Sequence, residues 1–492
     1  MTTITGTGQL EGWSKDIRLT FTNSRSIGPA IAVEGNYVHV VYADNESGGK
    51  YDLFLWYTRS NDSGKSWVSP ICITNTTPKK VSSPKIAVYK SNIHVIWLDW
   101  NDNRLYYINS LDNGNSWNTV RVLTPTIYPY MENWDIEIHE NFIHVIYINS
   151  GNIITYIYSN NNGINWSNPK LPAPSITKVI DSVLAVQGND IHIALRVNRK
   201  ITSDILYIRS TDNGANWDTY VDVSSVSGID TLCSFPDITV TNNDIFIVYR
   251  DEDFGGTRQI FYSYSNDNGF TWSKRIRLSN STSIIASVVD PHITAENDNI
   301  CVVWVDPRNA IDGGTELYCK ISSNKGNTWS ADTRLTNASK ASDLPDILIY
   351  RNITHVVWTD GRDENLEIYY KQMILPSSLI SAVVDIKPDT LNLKSKGKWI
   401  TAYIELPHGH NVNDIEISSV LLENTIPAEN HPTEVGDYDS DGIPDLMIKF
   451  DRSDLEDYIN RPRGSITLTI SGNKITNETF GGSDIIRVIH PP

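Results

Sequence analysis

Six arginines fall at or beyond the ends of apolar runs between positions 196 and 362: Arg196, Arg199, Arg250, Arg258, Arg308 and Arg362. Glu252, Asp253, Asp312, Asp363 and Glu364 accompany them. A planar guanidinium grips a carboxylate through two parallel N–H bonds, so arginines that converge make a receptor for an anionic group. The same side chains, each turned onto a neighbouring acid, make exposed ion pairs of small energetic value. Spacing leaves both readings open, and Arg196, Arg250, Arg258, Arg308, Arg362 and Asp253 are carried forward as ligand-binding candidates.

Two other constellations carry chemistry. The segment Tyr128-Pro129-Tyr130-Met131-Glu132-Asn133-Trp134, together with Trp100, offers aromatic faces of the kind on which sugar rings stack; burial between sheets is the alternative for Trp100, Tyr130 and Trp134. The run Asp437-Tyr438-Asp439-Ser440-Asp441-Gly442-Ile443-Pro444-Asp445 places carboxylates at loop positions 1, 3, 5 and 9, glycine at 6 and the Ile443 carbonyl at 7. A hard cation needs several oxygens within one short turn, so Asp437, Asp439, Asp441, Ile443 and Asp445 are expected to hold a structural Ca2+. Ile448 stands where an EF-hand has its bidentate glutamate, and the loop is more similar to the shortened loops of dockerin or thrombospondin-type repeats.

The elements that position these residues are set by a repeat. The pattern Ser-x-Asp/Asn-x-Gly-x-x-Trp begins at Ser60, Ser110, Ser159, Ser210, Ser265 and Ser322, and its tryptophans are Trp67, Trp117, Trp166, Trp217, Trp272 and Trp329. Each part suits a tight turn: Ser and Asp or Asn oxygens accept backbone N–H bonds, glycine supplies positive φ, and tryptophan packs beneath. Before each copy come apolar strand-like runs, one of which recurs seven times: VHVVY, IHVIW, IHVIY, IHIAL, IFIVY, ICVVW and THVVW. His39, His94, His144, His192 and His355 share one place in that run, and Asp44, Asp99, Asp251, Asp306 and Asp360 follow it; equivalent positions spread around a ring are packing and turn residues, not ligands of one ion.

The repeat resembles the Asp-box, or bacterial neuraminidase repeat, of sialidase-like β-propellers, over most of residues 9–373. The resemblance implies an all-β protein whose first domain, 9–373, is a β-propeller; the seven recurring runs count seven blades, where sialidases have six, and Asp16–Asn23 reads as a fourth strand that completes the last blade. No Arg-Ile-Pro motif stands near the N-terminus and no tyrosine–glutamate pair can be singled out among 24 tyrosines, so no sialidase catalytic residue is carried over. Residues 374–381 read as a linker. Residues 382–492 read as a small β-sandwich, and VDIKPDTLNLKSKGKW with the acidic loop resembles accessory domains of archaeal and bacterial surface proteins.

A net charge of −17 without a basic cluster argues against nucleic acid as a partner, and no run is apolar for long enough to span a bilayer. The four cysteines make no disulfide framework; symmetric hairpin pairing would set Cys301 opposite Cys319, as a bonded pair or as two buried thiols. The expectation is an extracellular or cell-surface binding protein for a glycan or glycoprotein, the balance falling against an enzyme. A sialidase-like exo-glycosidase is the first alternative and a structural adhesion component the second.

Overall fold

The computed structural model describes residues 12–489 except 46–51, 75–79, 128–132, 200–201, 225–231, 253–256, 282–288, 309–313, 376–379, 408, 460–463 and 476–477. Two compact units divide the chain, Met1–Ile374 and Leu375–Pro492.

The apolar runs of the first unit are rich in Val, Ile, Tyr and Trp, residues whose bulk near the backbone suits a pleated strand. They form seven antiparallel sheets among the described residues. The first strands are Ser26–Glu34, Val81–Tyr89, Trp134–His139, Val179–Gln187, Ser234–Thr241, Val289–Glu296 and Ser342–Tyr350, taken here as numbering sheets 1 to 7. Each is followed by a hairpin partner and a third strand, and in sheets 1, 2, 4, 5 and 6 by a two-residue fourth strand. In sheet 3 an isolated bridge, Tyr156 to Lys170, stands in that place. In sheet 7 the outer strand is Ile17–Arg18, paired with Tyr370 and Tyr369. The Leu19 N–H also donates to the Ile368 carbonyl at 2.8 Å. First strands of successive sheets pack against one another in order, and that of sheet 7 packs against that of sheet 1. This arrangement is consistent with a β-propeller.

The repeated turn is built alike six times. The serine hydroxyl accepts the glycine N–H at 2.8–2.9 Å, and the Asp or Asn oxygen accepts the N–H four residues on at 2.8–2.9 Å. The six glycines have φ between 73° and 87°. Each also meets a tyrosine of the preceding sheet: Gly64 meets Tyr370, Gly114 Tyr57, Gly163 Tyr107, Gly214 Tyr156, Gly269 Tyr207 and Gly326 Tyr262. The repeat tryptophan lies edge-on to that same tyrosine, with centroids 4.9–5.3 Å apart.

In five sheets the tyrosine hydroxyl is also held by the recurrent histidine, Nδ1 to Oη, at 2.7–2.8 Å: His39 with Tyr57, His94 with Tyr107, His144 with Tyr156, His192 with Tyr207 and His355 with Tyr370. Burial holds these imidazoles neutral, at about 3 or 4. Sheet 7 has no repeat turn for sheet 6 to grip, and there the histidine and tyrosine places are taken by Cys301 and Cys319. The two cysteines are not directly opposite, as symmetric pairing would have them: Cys301 faces Ile321 and Cys319 faces Val303, the same diagonal that His39 and Tyr57 use. Both are buried free thiols.

Among the described residues the second unit holds two sheets. One contains Val383–Lys387, Trp399–Glu405, Asp445–Asp451 and Glu434–Gly436; the other is built on the long hairpin Gly464–Asn473 and Thr479–Ile489. Ile386, Ile400, Ile404, Phe450, Leu468 and Phe480 belong to one buried cluster drawn from both sheets. The expected linker is shorter than 374–381, because Ile374 ends a strand of sheet 7 and Ile380–Ser381 pairs with Phe480 and Gly481, burying Ile380. A helix, Arg452–Tyr458, was not expected; Asp451 caps it by accepting the Ser453 N–H.

Gly163→Ala adds a Cβ that meets the Tyr107 hydroxyl and ring at φ 77°, whereas Gly188→Ala, in the hairpin turn of sheet 4 at φ 61°, meets nothing. Denaturant unfolding is expected to show a loss of about 3 kcal/mol or more for Gly163→Ala against about 1 kcal/mol for Gly188→Ala. Equal losses would mean that the close approach is not a clamp.

Candidate functional site

The first strands surround a cavity of about 810 Å³. Five of them begin with a register shift in which one residue takes positive φ: Gly28, Ser83, Phe235, Asp290 and Leu344. A proline follows each, and the next residue faces the same place on the second strand in every sheet. Those five residues, Ala30, Lys85, Asp237, His292 and Asp346, form one level of the cavity wall with Asp135 and Val183, which hold the same place in sheets 3 and 4.

Three of these acids fasten neighbouring sheets. Asp135 accepts the N–H of Ile136 and, across the sheet boundary, that of Leu184, both at 2.9 Å. Asp237 does the same for Ile238 at 2.9 Å and Ile293 at 2.8 Å, and Asp346 for Ile347 and Ile31, both at 2.9 Å. His292 lies among carboxylates, Nδ1 at 3.7 Å from Asp237 and 3.9 Å from Asp346, Nε2 at 3.7 Å from Asp290. Burial lowers its affinity for a proton, but the combined pull of Asp290, Asp237 and Asp346 prevails and raises it to about 9. One level further along stand Ala32, Ala87, Ala185, Thr239, Thr294, Leu348 and a single acid, Glu137. Burial first, then the Asp135 charge, raises Glu137 to about 8, and burial raises Asp135 to about 6.

The arginines separate into two kinds. Arg308 is tied to Asp306 at 2.6 Å and to Asp332, and Arg362 to Asp360 and Asp16, both at 2.7 Å. These are the ion pairs of the alternative reading, stacked on Tyr318 and Tyr369. Arg199 is likewise tied to Asp204.

Arg196 and Arg250 are different. They occupy the same second-strand place in sheets 4 and 5, where the other sheets have Ala43, Leu98, Ile148, Val305 and Thr359. The Nε of each is buried without a hydrogen-bond partner, and neither guanidinium has an ion-pair partner among the described residues. Burial and the charges of Arg258 and Arg196 lower Arg250 to about 10, which leaves it a cation at neutral pH. Its guanidinium lies 4.9 Å from the Phe235 ring centroid, and Phe235 lines the cavity. Arg258 completes the group, 3.5 Å from Glu252. Three of the arginine candidates are thus brought together and two are not.

Trp134 is 1% exposed and donates its indole N–H to the Ser83 carbonyl at 3.1 Å, so its ring is packed between sheets and is not a stacking platform. Trp100 is 46% exposed and lines the cavity. Tyr130 and Asp253 lie outside the described residues.

In the acidic loop, carboxylate oxygens of Asp437, Asp439 and Asp445 lie within 4.8 Å of one another, as do those of Glu405, Asp439 and Asp441. The Ile443 N–H donates to Asp441 at 2.8 Å. Glu405, directly opposite Asp445 in the strand pair, escapes the sequence because only sheet pairing brings it there. The cavity acids escaped for a related reason; for Asp237 and Asp346 the one signal is that the residue after proline varies in charge from repeat to repeat, and Asp135 and Glu137 follow no proline.

No family model and no curated protein matches the chain. Among solved structures it is similar to a protein of unknown function from Dyadobacter fermentans DSM 18053, at 14% identity over 75% of this chain and 100% of that one, TM-score 0.47. It is similar also to polysaccharide lyase Uly1, at 13% identity over 71% and 90%, TM-score 0.48. A third likeness is to Trypanosoma rangeli sialidase, at 12% over 71% and 55%, TM-score 0.40; this chain spans little more than half of that one. Below a TM-score of 0.5 these likenesses carry no argument about chemistry.

Because His292 binds its proton more tightly in the folded state, its imidazolium adds stability that is fully present below about pH 6.5 and is lost as pH rises through about 9. His292→Gln is expected to cost on the order of 2 kcal/mol at pH 6 and much less at pH 10, read from unfolding at both values. A cost that does not change with pH would show that His292 is uncharged among these acids.

Proposed function

We propose that this is a secreted or cell-surface binding protein: a seven-bladed Asp-box β-propeller that recognises an anionic glycan or glycoprotein, followed by a calcium-stabilised β-sandwich. The observation that carries the reading is that Arg196 and Arg250, with Arg258 near enough to act on Arg250, each bury an Nε without a hydrogen-bond partner among the described residues, and that Arg250 lies over Phe235, which lines the cavity. A buried guanidinium nitrogen without an acceptor is costly, and a carboxylate or sulfate from outside supplies the missing hydrogen bond. Trp100 adds an apolar face of the kind that sugar rings use.

The test is retention of labelled sialylated, sulfated and neutral glycans by the full chain, alongside hydrolysis of the corresponding fluorogenic glycosides. Arg250→Ala and Arg196→Ala are each expected to weaken binding of acidic glycans at least tenfold, in line with about 1.5–3 kcal/mol for a hydrogen bond to a charged group. No turnover is expected. Turnover abolished by the same substitutions would make the protein an exo-glycosidase, and ordered self-assembly without glycan binding would make it a structural component.

For the acidic loop, the convergence of carboxylates from Asp437, Asp439, Asp441, Asp445 and Glu405 suits a hard cation, which would relieve their mutual repulsion. Calcium at about a hundred times its dissociation constant is expected to stabilise the second unit by about 2.7 kcal/mol. Chelation should lower its melting transition in the full chain, and Asp439→Asn should remove the response. A transition indifferent to calcium would dismiss the ion.

A further inference from the structure

Beyond the arginine site, the cavity enclosed by the first strands has a polarity of its own. Seven carboxyl groups line it against two cations, Lys85 and His292. Most of these acids are engaged: Asp135, Asp237 and Asp346 fasten neighbouring sheets, and His292 lies against Asp237, Asp290 and Asp346. Glu137 is not. It lines the cavity within the ring of strands, and among the described residues its carboxyl group has no side-chain hydrogen bond or ion pair and accepts only the N–H of its neighbour Ile138.

The wall around Glu137 is low, made of Ala32, Ala87, Ala185, Thr239 and Thr294 with Leu348, so this level is a roomy, largely apolar chamber with one acid in it. A carboxyl group without a cross-sheet hydrogen bond is an expensive feature in a wall where Asp135, Asp237 and Asp346 each have one.

We propose that this cavity is a binding site for a linear aliphatic polyammonium ion, one ammonium group resting on Glu137 and the next at the level of Asp135. Residues 135 and 137 are two apart on one strand face, about 7 Å along the strand, within the reach of a diammonium linked by three or four methylenes. The methylenes then lie against the alanines. A divalent metal ion fits less well. Among the described residues, carboxylates that gather three ligand atoms within 4.8 Å occur only in the acidic loop of the second unit, so the cavity acids are spread along a path and do not converge on a point. A strongly hydrated ion also gains nothing from an apolar wall, whereas an alkyl chain does.

Calorimetry of the full chain with spermidine at about 0.15 M salt tests this, with hexane-1,6-diol as the uncharged probe of similar length. That ionic strength screens diffuse attraction to a chain of net charge −17. One spermidine per chain is expected, with no binding of the diol, and Glu137→Gln is expected to weaken the affinity at least tenfold while leaving the unliganded melting temperature within a few degrees. Glu137→Ala serves as the second variant and is expected to weaken binding equally. Absence of binding, an affinity indifferent to both substitutions, or equal binding of the diol overturns the proposal. Indifference would place the amine on other acids, those of the calcium loop included.

Discussion

The contact on which the first unit depends is that between a repeat-turn glycine and the tyrosine of the sheet before it. A turn that needs only positive φ accepts asparagine, and Asn113, Asn162 and Asn213 hold such angles one residue earlier in the same turns. The glycine is required for a second reason: the tyrosine occupies the space a side chain would fill. The tryptophan then closes on the tyrosine from the edge, and the buried histidine fixes its hydroxyl from behind. Turn, aromatic pair and hydrogen bond thus converge on one ring, and the ring belongs to the neighbouring sheet. Local turn chemistry has become the means by which sheets are joined.

On the cavity side the joining is done differently. Carboxylates of Asp135, Asp237 and Asp346, and the hydroxyls of Thr239 and Thr294, accept N–H groups from the next sheet's first strand. Such bonds need no particular shape, only an acceptor at a given level, and the ring does not need one in every sheet: Ala30 and Val183 stand at the same level without one. The outer joints demand identity and the inner ones demand chemistry. Positions free to vary in chemistry are the ones from which a binding surface can be made, and Lys85, His292 and Glu137 are examples.

What could be read from the chain follows the same division. The six turns were legible because all their partners lie within eight residues. The tyrosines were not, since Tyr57 and Gly114 meet only once two sheets are side by side. Cys301 and Cys319 looked like a hairpin pair, yet they stand in for His and Tyr in the one sheet whose successor lacks the turn, a fact that needs the ring to be seen. Arg196 and Arg250 were visible as departures from an apolar position, but nothing in the spacing separated them from Arg308 and Arg362, whose acids sit close in sequence or, for Asp16, at the other end of the unit. In the second unit the loop acids were plain and Glu405 was hidden, again because its partner is reached through a strand pair.

The outer strand of sheet 7 comes from the beginning of the chain, and the ion pair between Arg18 and Glu367 joins residues 349 apart. Every other hairpin of the unit forms between neighbours in sequence, so it is fast, whereas this pairing must wait for the slowest loop of all to close. During synthesis the ring therefore stays open until its last third strand has left the ribosome, with an unpaired sheet edge at each end. The edge that waits is the full third strand, Glu367–Ile374, and the N-terminal segment covers it from Trp13 beside Met373 to Leu19 at Ile368, leaving a second nascent chain nowhere to seat once the ring has closed.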